Sequence, residues 1–168
     1  MSSAAHAAAG DHDRFAALLE GHRGILVKVA GSYAFNPEDR ADLQQEIAAQ
    51  LWRAFPDYDP ARPFSTWMYR IALNVAISQL RLRGRDRDAV ALEAAPELVD
   101  TATPTPEHER NVQALYRFIA ALAPLDRALM LLYLEDRGRR EMADVLGLSE
   151  TNVTTRISRL KQRIANEL

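Results

Sequence analysis

Apolar residues recur at three- and four-residue steps along nearly the whole chain, and alternating β-branched runs are missing. That period belongs to helices with one buried face, so the sequence reads as all-α. Phe15, Leu18, Leu19, Ile25, Leu26 and Val29 supply the apolar face of a first helix, expected over about 11–34. Asn36-Pro37 is an N-cap followed by proline at the first helical position, and opens a second helix to about Phe55. Pro56, Pro60 and Pro63 bracket a loop, after which a third helix runs from Phe64 to about Arg83. Thr105-Pro106 repeats the cap-plus-proline signature ahead of a helix to about Ala123. Pro124 opens another to near Glu135, a short one spans about 139–146, and Ser149 caps the last.

Between these groups the composition changes. Residues 84–106 hold Pro96, Pro104, Pro106, many small residues and a run of acids. Roughly 20 residues without helical period are uncommon inside one compact domain, so a flexible linker is expected there. The expected organisation is a disordered 1–10, a helical domain over 11–84, an acidic proline-containing linker over 85–106 and a second small helical domain over 107–168.

Charge is segregated in the same way. The whole chain carries a formal net charge of -2, which by itself argues against nucleic-acid binding. Residues 62–87 nevertheless hold six arginines against the single acid Asp86. Residues 88–110 hold six acids against Arg110, and 151–168 hold Arg156, Arg159, Lys161 and Arg163 against Glu167. Phosphate contacts need only local positive charge, and two basic helices flank an acidic block.

The run RREMADVLGLSETNVTTRISRLKQR, from Arg139 to Arg163, has the layout of a helix-turn-helix. Met142, Val145 and Leu146 form one apolar face, Gly147 suits a left-handed helix end, and Ser149 caps the next helix. Val153, Ile157, Leu160 and Ile164 point inward, leaving Thr151, Asn152, Thr155, Arg156, Arg159 and Arg163 outward as candidate major-groove residues. A plain capped helical hairpin has the same local pattern.

Two further faces stand out. On the second helix Asp42, Gln45, Glu46, Ala49 and Arg53 share a side away from the Leu43, Ile47, Leu51 stripe. It could dock a protein; taken alone, a solvated surface is the simpler reading. On the third helix Trp67, Arg70, Asn74, Ser78, Arg81 and Arg85 fall on one stripe. Arginine neutralises phosphate, Asn reads bases and an aromatic stacks on unpaired ones, though Trp67 is equally suited to core packing.

The run from Asp42 to Arg81, with its DLQQE start, LWRAF and FSTWMYRIALN, resembles the second conserved region of the sigma-70 family, most of all its extracytoplasmic-function group. Leu122 to Ile164 resembles that family's fourth region. The resemblance implies that the face of Asp42, Gln45, Glu46, Ala49 and Arg53 docks on the β′ clamp helices of core RNA polymerase, with the β flap as a second contact. It implies that the loop 57–63, with Tyr58 and Arg62, holds a flipped-out base, and that the Trp67 to Arg85 stripe reads and opens the -10 element. The helix bearing Thr151 to Arg163 would read the -35 element. The acidic linker would thread the polymerase's RNA channel as a nucleic-acid mimic. Many members are held by an anti-sigma partner clamped between the two domains. Departures are Asp136-Arg137-Gly138-Arg139, where members often carry a Gly-Leu-Ser-Tyr-like lead, and TNVTTR in place of a GTVKSR-like run.

Other classes are excluded or set apart. There is no cysteine, and histidines 6, 12, 22 and 108 lack metal-ligand spacing, so no metal or cofactor is expected. P-loop, Gly-rich dinucleotide and HExxH patterns are absent, so no catalytic residue is expected and the chain does not read as an enzyme. No apolar run suits a membrane span and residues 1–10 lack a secretion signal, so a cytoplasmic location is expected. A helix-turn-helix regulator acting without polymerase, and a helical adaptor that titrates a partner, remain as alternatives; association with core polymerase separates the first from a sigma factor, and loss of promoter binding in the polymerase-bound complex would favour the second.

Overall fold

The computed structural model describes residues 2–83 and 105–168, with side chains from residue 8 onward. The linker expected over 85–106, save its last two residues, and Arg85 lie outside the described residues. Eight helices account for nearly all of what is described: α1 Ser2–Gly21, α2 Arg23–Tyr33, α3 Pro37–Ala54, α4 Phe64–Arg83, α5 Pro106–Ala121, α6 Pro124–Leu134, α7 Arg139–Leu146 and α8 Glu150–Glu167. No strand occurs among the described residues.

Capping chemistry sets most of the boundaries. The Asn36 side chain accepts from the Asp39 amide at 2.7 Å, and Pro37 follows it into α3. Thr105 accepts from the His108 amide at 3.3 Å ahead of Pro106, so the second helical unit begins at the expected cap. Ser149 accepts from the Asn152 amide at 3.1 Å and starts α8. Gly147 closes α7 at φ 66°, a left-handed conformation that costs glycine nothing.

Two expectations need correction. The single first helix is two: α1 ends at Gly21, and His22 turns the chain into α2. The His22 ring sits 2.8 Å from the Leu18 carbonyl, one of the four that a helix end leaves unpaired. The N-terminal stretch expected to be disordered lies in α1 from Ser2 onward. It holds five alanines, the best helix formers, between Ala4 and Ala9.

In the N-terminal unit, α2, α3 and α4 bury Val29, Ile47, Leu51, Met68 and Leu73 completely, and Phe15 of α1 packs onto Phe55. In the C-terminal unit, α5, α6, α7 and α8 enclose Phe118, Leu129, Leu132, Met142, Val153 and Leu160. The two cores are continuous, forming one apolar cluster. Arg127 joins the units. Its guanidinium donates to the carbonyls of Ser32 (3.1 Å), Ala120 (2.7 Å) and Leu122 (3.2 Å), and lies 5.2 Å from the centre of the Tyr33 ring. One cation thus caps the carboxyl ends of both α2 and α5, where the helix dipole is negative. The Tyr33 hydroxyl adds a 2.8 Å bond to the Pro124 carbonyl.

Candidate nucleic-acid and polymerase interface

The α3 face emerges as its spacing predicts. Leu43, Ile47 and Leu51 are buried, while Asp42, Gln45 and Arg53 are exposed and Glu46 and Ala49 half-buried beside them. Gln50 donates to Glu46 at 2.9 Å, holding the carboxylate outward on the helix surface. Arg83 reaches back from α4 to Asp39 at 3.1 Å, tying the two helices together.

On α4, Arg70, Asn74, Ser78 and Arg81 are exposed along one stripe. Trp67 heads it but is half-buried. Its ring lies 5.0 Å from Tyr58 and 5.3 Å from Phe64, and Tyr58 in turn stacks on Phe55 at 5.9 Å. Packing therefore claims much of both aromatic surfaces. The Tyr58 hydroxyl donates to the Arg62 carbonyl at 2.8 Å, and the Ala61 amide to Asp59 at 2.9 Å, so the loop ahead of α4 is internally fixed. Its Tyr58 and Pro60 form one wall of an open groove of about 580 Å³, completed by Arg14, Leu18, Gly21 and His22. Arg14 and His22 were not singled out by sequence reasoning, because only the turn at His22 folds α1 beside that loop.

On α8, Val153, Ile157 and Leu160 are buried and Thr151, Asn152, Thr155, Arg159 and Arg163 exposed. Arg156 is less free than its spacing suggested. It donates to Asp126 of α6 at 2.8 Å and to the Asn152 side chain at 3.0 Å. Such a guanidinium is held in one orientation before any ligand arrives. Arg159 makes no ion pair among the described residues, and Arg163 pairs with Glu167 at 3.3 Å, one turn away. Spacing gave no sign of Asp126, which sits 30 residues from its partner.

A third group of residues lies where α4 meets α7. Arg70 donates through Nη2 to both the carbonyl (2.8 Å) and the carboxylate (2.9 Å) of Asp144. Thr66 donates to Glu141 at 2.8 Å, and Arg137 donates to Ser65 at 3.2 Å and Glu141 at 3.1 Å. The Arg137 guanidinium lies 5.0 Å over the Tyr69 ring. Burial, then the nearby Glu135 carboxylate, push the Tyr69 phenol up to about 12. Tyr33 is raised further by its own burial, against the pull of Arg127. Among the described residues no cluster suits a metal ion, and no helix is long and apolar enough to cross a membrane.

The stretches that carry these faces match known family models. Residues 18–86 match Sigma-70 region 2 and residues 112–164 match Sigma-70, region 4. RNA polymerase sigma factor CnrH of Cupriavidus metallidurans is 32% identical over 96% of this chain and 90% of its own length. ECF RNA polymerase sigma factor SigE of Mycolicibacterium smegmatis is 30% identical over 90% of this chain and 60% of that longer protein. Among solved structures, CnrH in complex with the cytosolic domain of CnrY superposes with a TM-score of 0.67 at 26% identity, covering 97% of this chain and 92% of that one. With both regions present in order and relatives matching almost end to end, the chain belongs to the sigma-70 family of RNA polymerase sigma factors, in its extracytoplasmic-function group.

Proposed function

We propose that this protein joins core RNA polymerase and directs it to promoters through two separate DNA contacts, acting in the cytoplasm as a specificity subunit and not as an enzyme. The observation that carries the reading is the coexistence of three outward faces on one chain. These are an acidic and amide face on α3, a basic stripe on α4 and a polar, basic recognition face on α8. A regulator working without polymerase would use the last and leave the first unexplained.

In this reading Asp42, Gln45, Glu46, Ala49 and Arg53 dock on the β′ clamp helices. Arg70, Asn74, Ser78 and Arg81 take the -10 strand, Arg85 continues the stripe, and Trp67 and Tyr58 wall the place where bases leave the stack. Arg62 lies exposed at the edge of that loop. Unstacking costs a few kcal/mol per base, which the arginine–phosphate contacts and the groove beside Tyr58 offset. Thr151, Asn152, Thr155, Arg156, Arg159 and Arg163 read the -35 duplex from the major groove. CnrH is seen bound to the cytosolic domain of CnrY, and a comparable inhibitory protein partner is proposed for this chain. Gradient sedimentation with purified core polymerase tests the first step. Co-migration of the wild type and its loss in Glu46→Lys is the expected result; co-migration of neither overturns the assignment, and co-migration of both overturns the α3 docking face.

A further inference from the structure

We infer that Asp126, on α6 and outside the helix-turn-helix, is a positioning residue that sets which base the recognition helix selects. The inference rests on the assignment of α8 to the -35 duplex and adds to it a residue that none of the three outward faces contains. Asp126 accepts from Arg156 Nη1 at 2.8 Å, and Asn152 Oδ1 accepts from Arg156 Nε at 3.0 Å. The three side chains form one line of hydrogen bonds from the first turn of α6 to the first turn of α8. The α6 end is held in place. Asp126 sits at the positive end of its helix, where a carboxylate is stabilised. Leu129 and Leu132 of the same helix are buried in one core with Val153, Ile157 and Leu160 of α8. Arg156 and Asp126 are 35% and 24% exposed, against 45% and 50% for the Arg163–Glu167 pair, so water and salt loosen the first pair less.

What the network leaves unused decides what it reads. A guanidinium has five donor hydrogens, and Asn152 and Asp126 take two of them. The remaining three, on Nη1 and Nη2, suffice for a paired contact with guanine O6 and N7. Asparagine reads adenine by donating to N7 while accepting from the N6 amino group. The Asn152 oxygen already accepts from Arg156, with the guanidinium charge beside it, so an adenine amino group meets a donor there. Both residues thus offer donors, which suits an acceptor edge and rejects an amino group. Guanine carries two acceptors in the major groove, whereas adenine carries one acceptor and one donor. The network selects guanine over adenine, and Asp126 maintains it without touching the base. Without that carboxylate, Arg156 swings to the nearest phosphate and the Asn152 oxygen is released to accept from adenine.

The test uses holoenzyme reconstituted from core polymerase and the full chain, with a library of promoter fragments randomised over the -35 block. Wild type, Asp126→Ala, Arg156→Ala and Asp126→Ala/Arg156→Ala are compared by sequencing the bound fraction. Affinities for the guanine and adenine versions of the selected site are then measured by anisotropy at several salt concentrations. The wild type should prefer guanine at one position by about tenfold, the discrimination of one good paired contact. Asp126→Ala should lose most of that preference, while the slope of log affinity against log salt steepens by about one as the freed arginine takes a phosphate. In the Arg156→Ala background, removing Asp126 should change the ratio no further. A variant that is merely less folded loses affinity for all sequences alike and leaves the ratio as it was, so the ratio separates positioning from stability. An Asp126→Ala ratio or slope equal to that of wild type, or a further loss of ratio in the Arg156→Ala background, overturns the inference and leaves the -35 assignment standing. So does a selected block in which no position favours guanine over adenine. A wild-type holoenzyme that selects no common -35 block overturns that assignment and this inference with it.

Discussion

Replacing Arg127 by methionine, which keeps the length of the side chain and removes its donors, should destabilise the fold by about 3 kcal/mol. Arg127 is 4% exposed and has no carboxylate partner; its donors serve only main-chain oxygens. Losing them leaves three carbonyls at the ends of α2 and α5 without a partner, at about 1 kcal/mol or more each. The contact with the Tyr33 ring is worth about 0.5–1 kcal/mol more. Burial pulls the Arg127 pKa down, with Tyr33 pulling it back up, so some desolvation cost is recovered when the charge goes. For a chain of this size about 3 kcal/mol corresponds to roughly 6–12 °C in Tm. Thermal unfolding followed by circular dichroism measures it. Arg127→Lys, which retains the charge but not the planar fork, should fall between the two. A methionine variant melting within about 2 °C of wild type would refute the view that this residue holds α2, α5 and α6 together.

Other expectations are shorter to state. Asp136 adopts φ 56°, a conformation glycine takes without strain, so Asp136→Gly should raise Tm by a few degrees and Asp136→Val should lower it. Tyr33 and Tyr69 are both raised above the ordinary 10.0, so the unfolded chain ionises first. Stability should be intact below pH 10 and fall as the pH rises toward about 12; Tyr69→Phe should flatten part of that fall in urea titrations. Arg159→Ala should weaken -35 duplex binding about tenfold with an unchanged Tm, read by anisotropy and calorimetry. Arg156→Ala should weaken it too but also lower Tm, because Asp126 then loses its partner.

The helices were legible because their ends carry local chemistry: Asn36 before Pro37, Thr105 before Pro106, Ser149, and Gly147 after Leu146. Most of the outward faces of α3, α4 and α8 follow from spacing, since each apolar stripe fixes which residues remain outside; Arg156 departs from it because Asp126, 30 residues away, draws it against α6. The break at His22 was missed although Gly21 and Gly24 flank it, because the apolar period runs through both. Trp67 could not be placed by its stripe, as whether it faces solvent depends on Tyr58 and Phe64 folding over it. The joining of the two units was not legible at all. Arg70 and Asp144 are 74 residues apart with the linker between them, and no periodicity connects them. Arg127 reads as one more surface arginine until the ends of α2 and α5 converge on it.

The central claim is tested most directly by run-off transcription with purified core polymerase on a library of promoter fragments. Adding this protein should produce transcripts with discrete starts from a subset of templates that share two short sequence blocks, and none should appear with core alone. Transcription no more selective than that of the core, or no transcription despite a stable complex, would contradict the account.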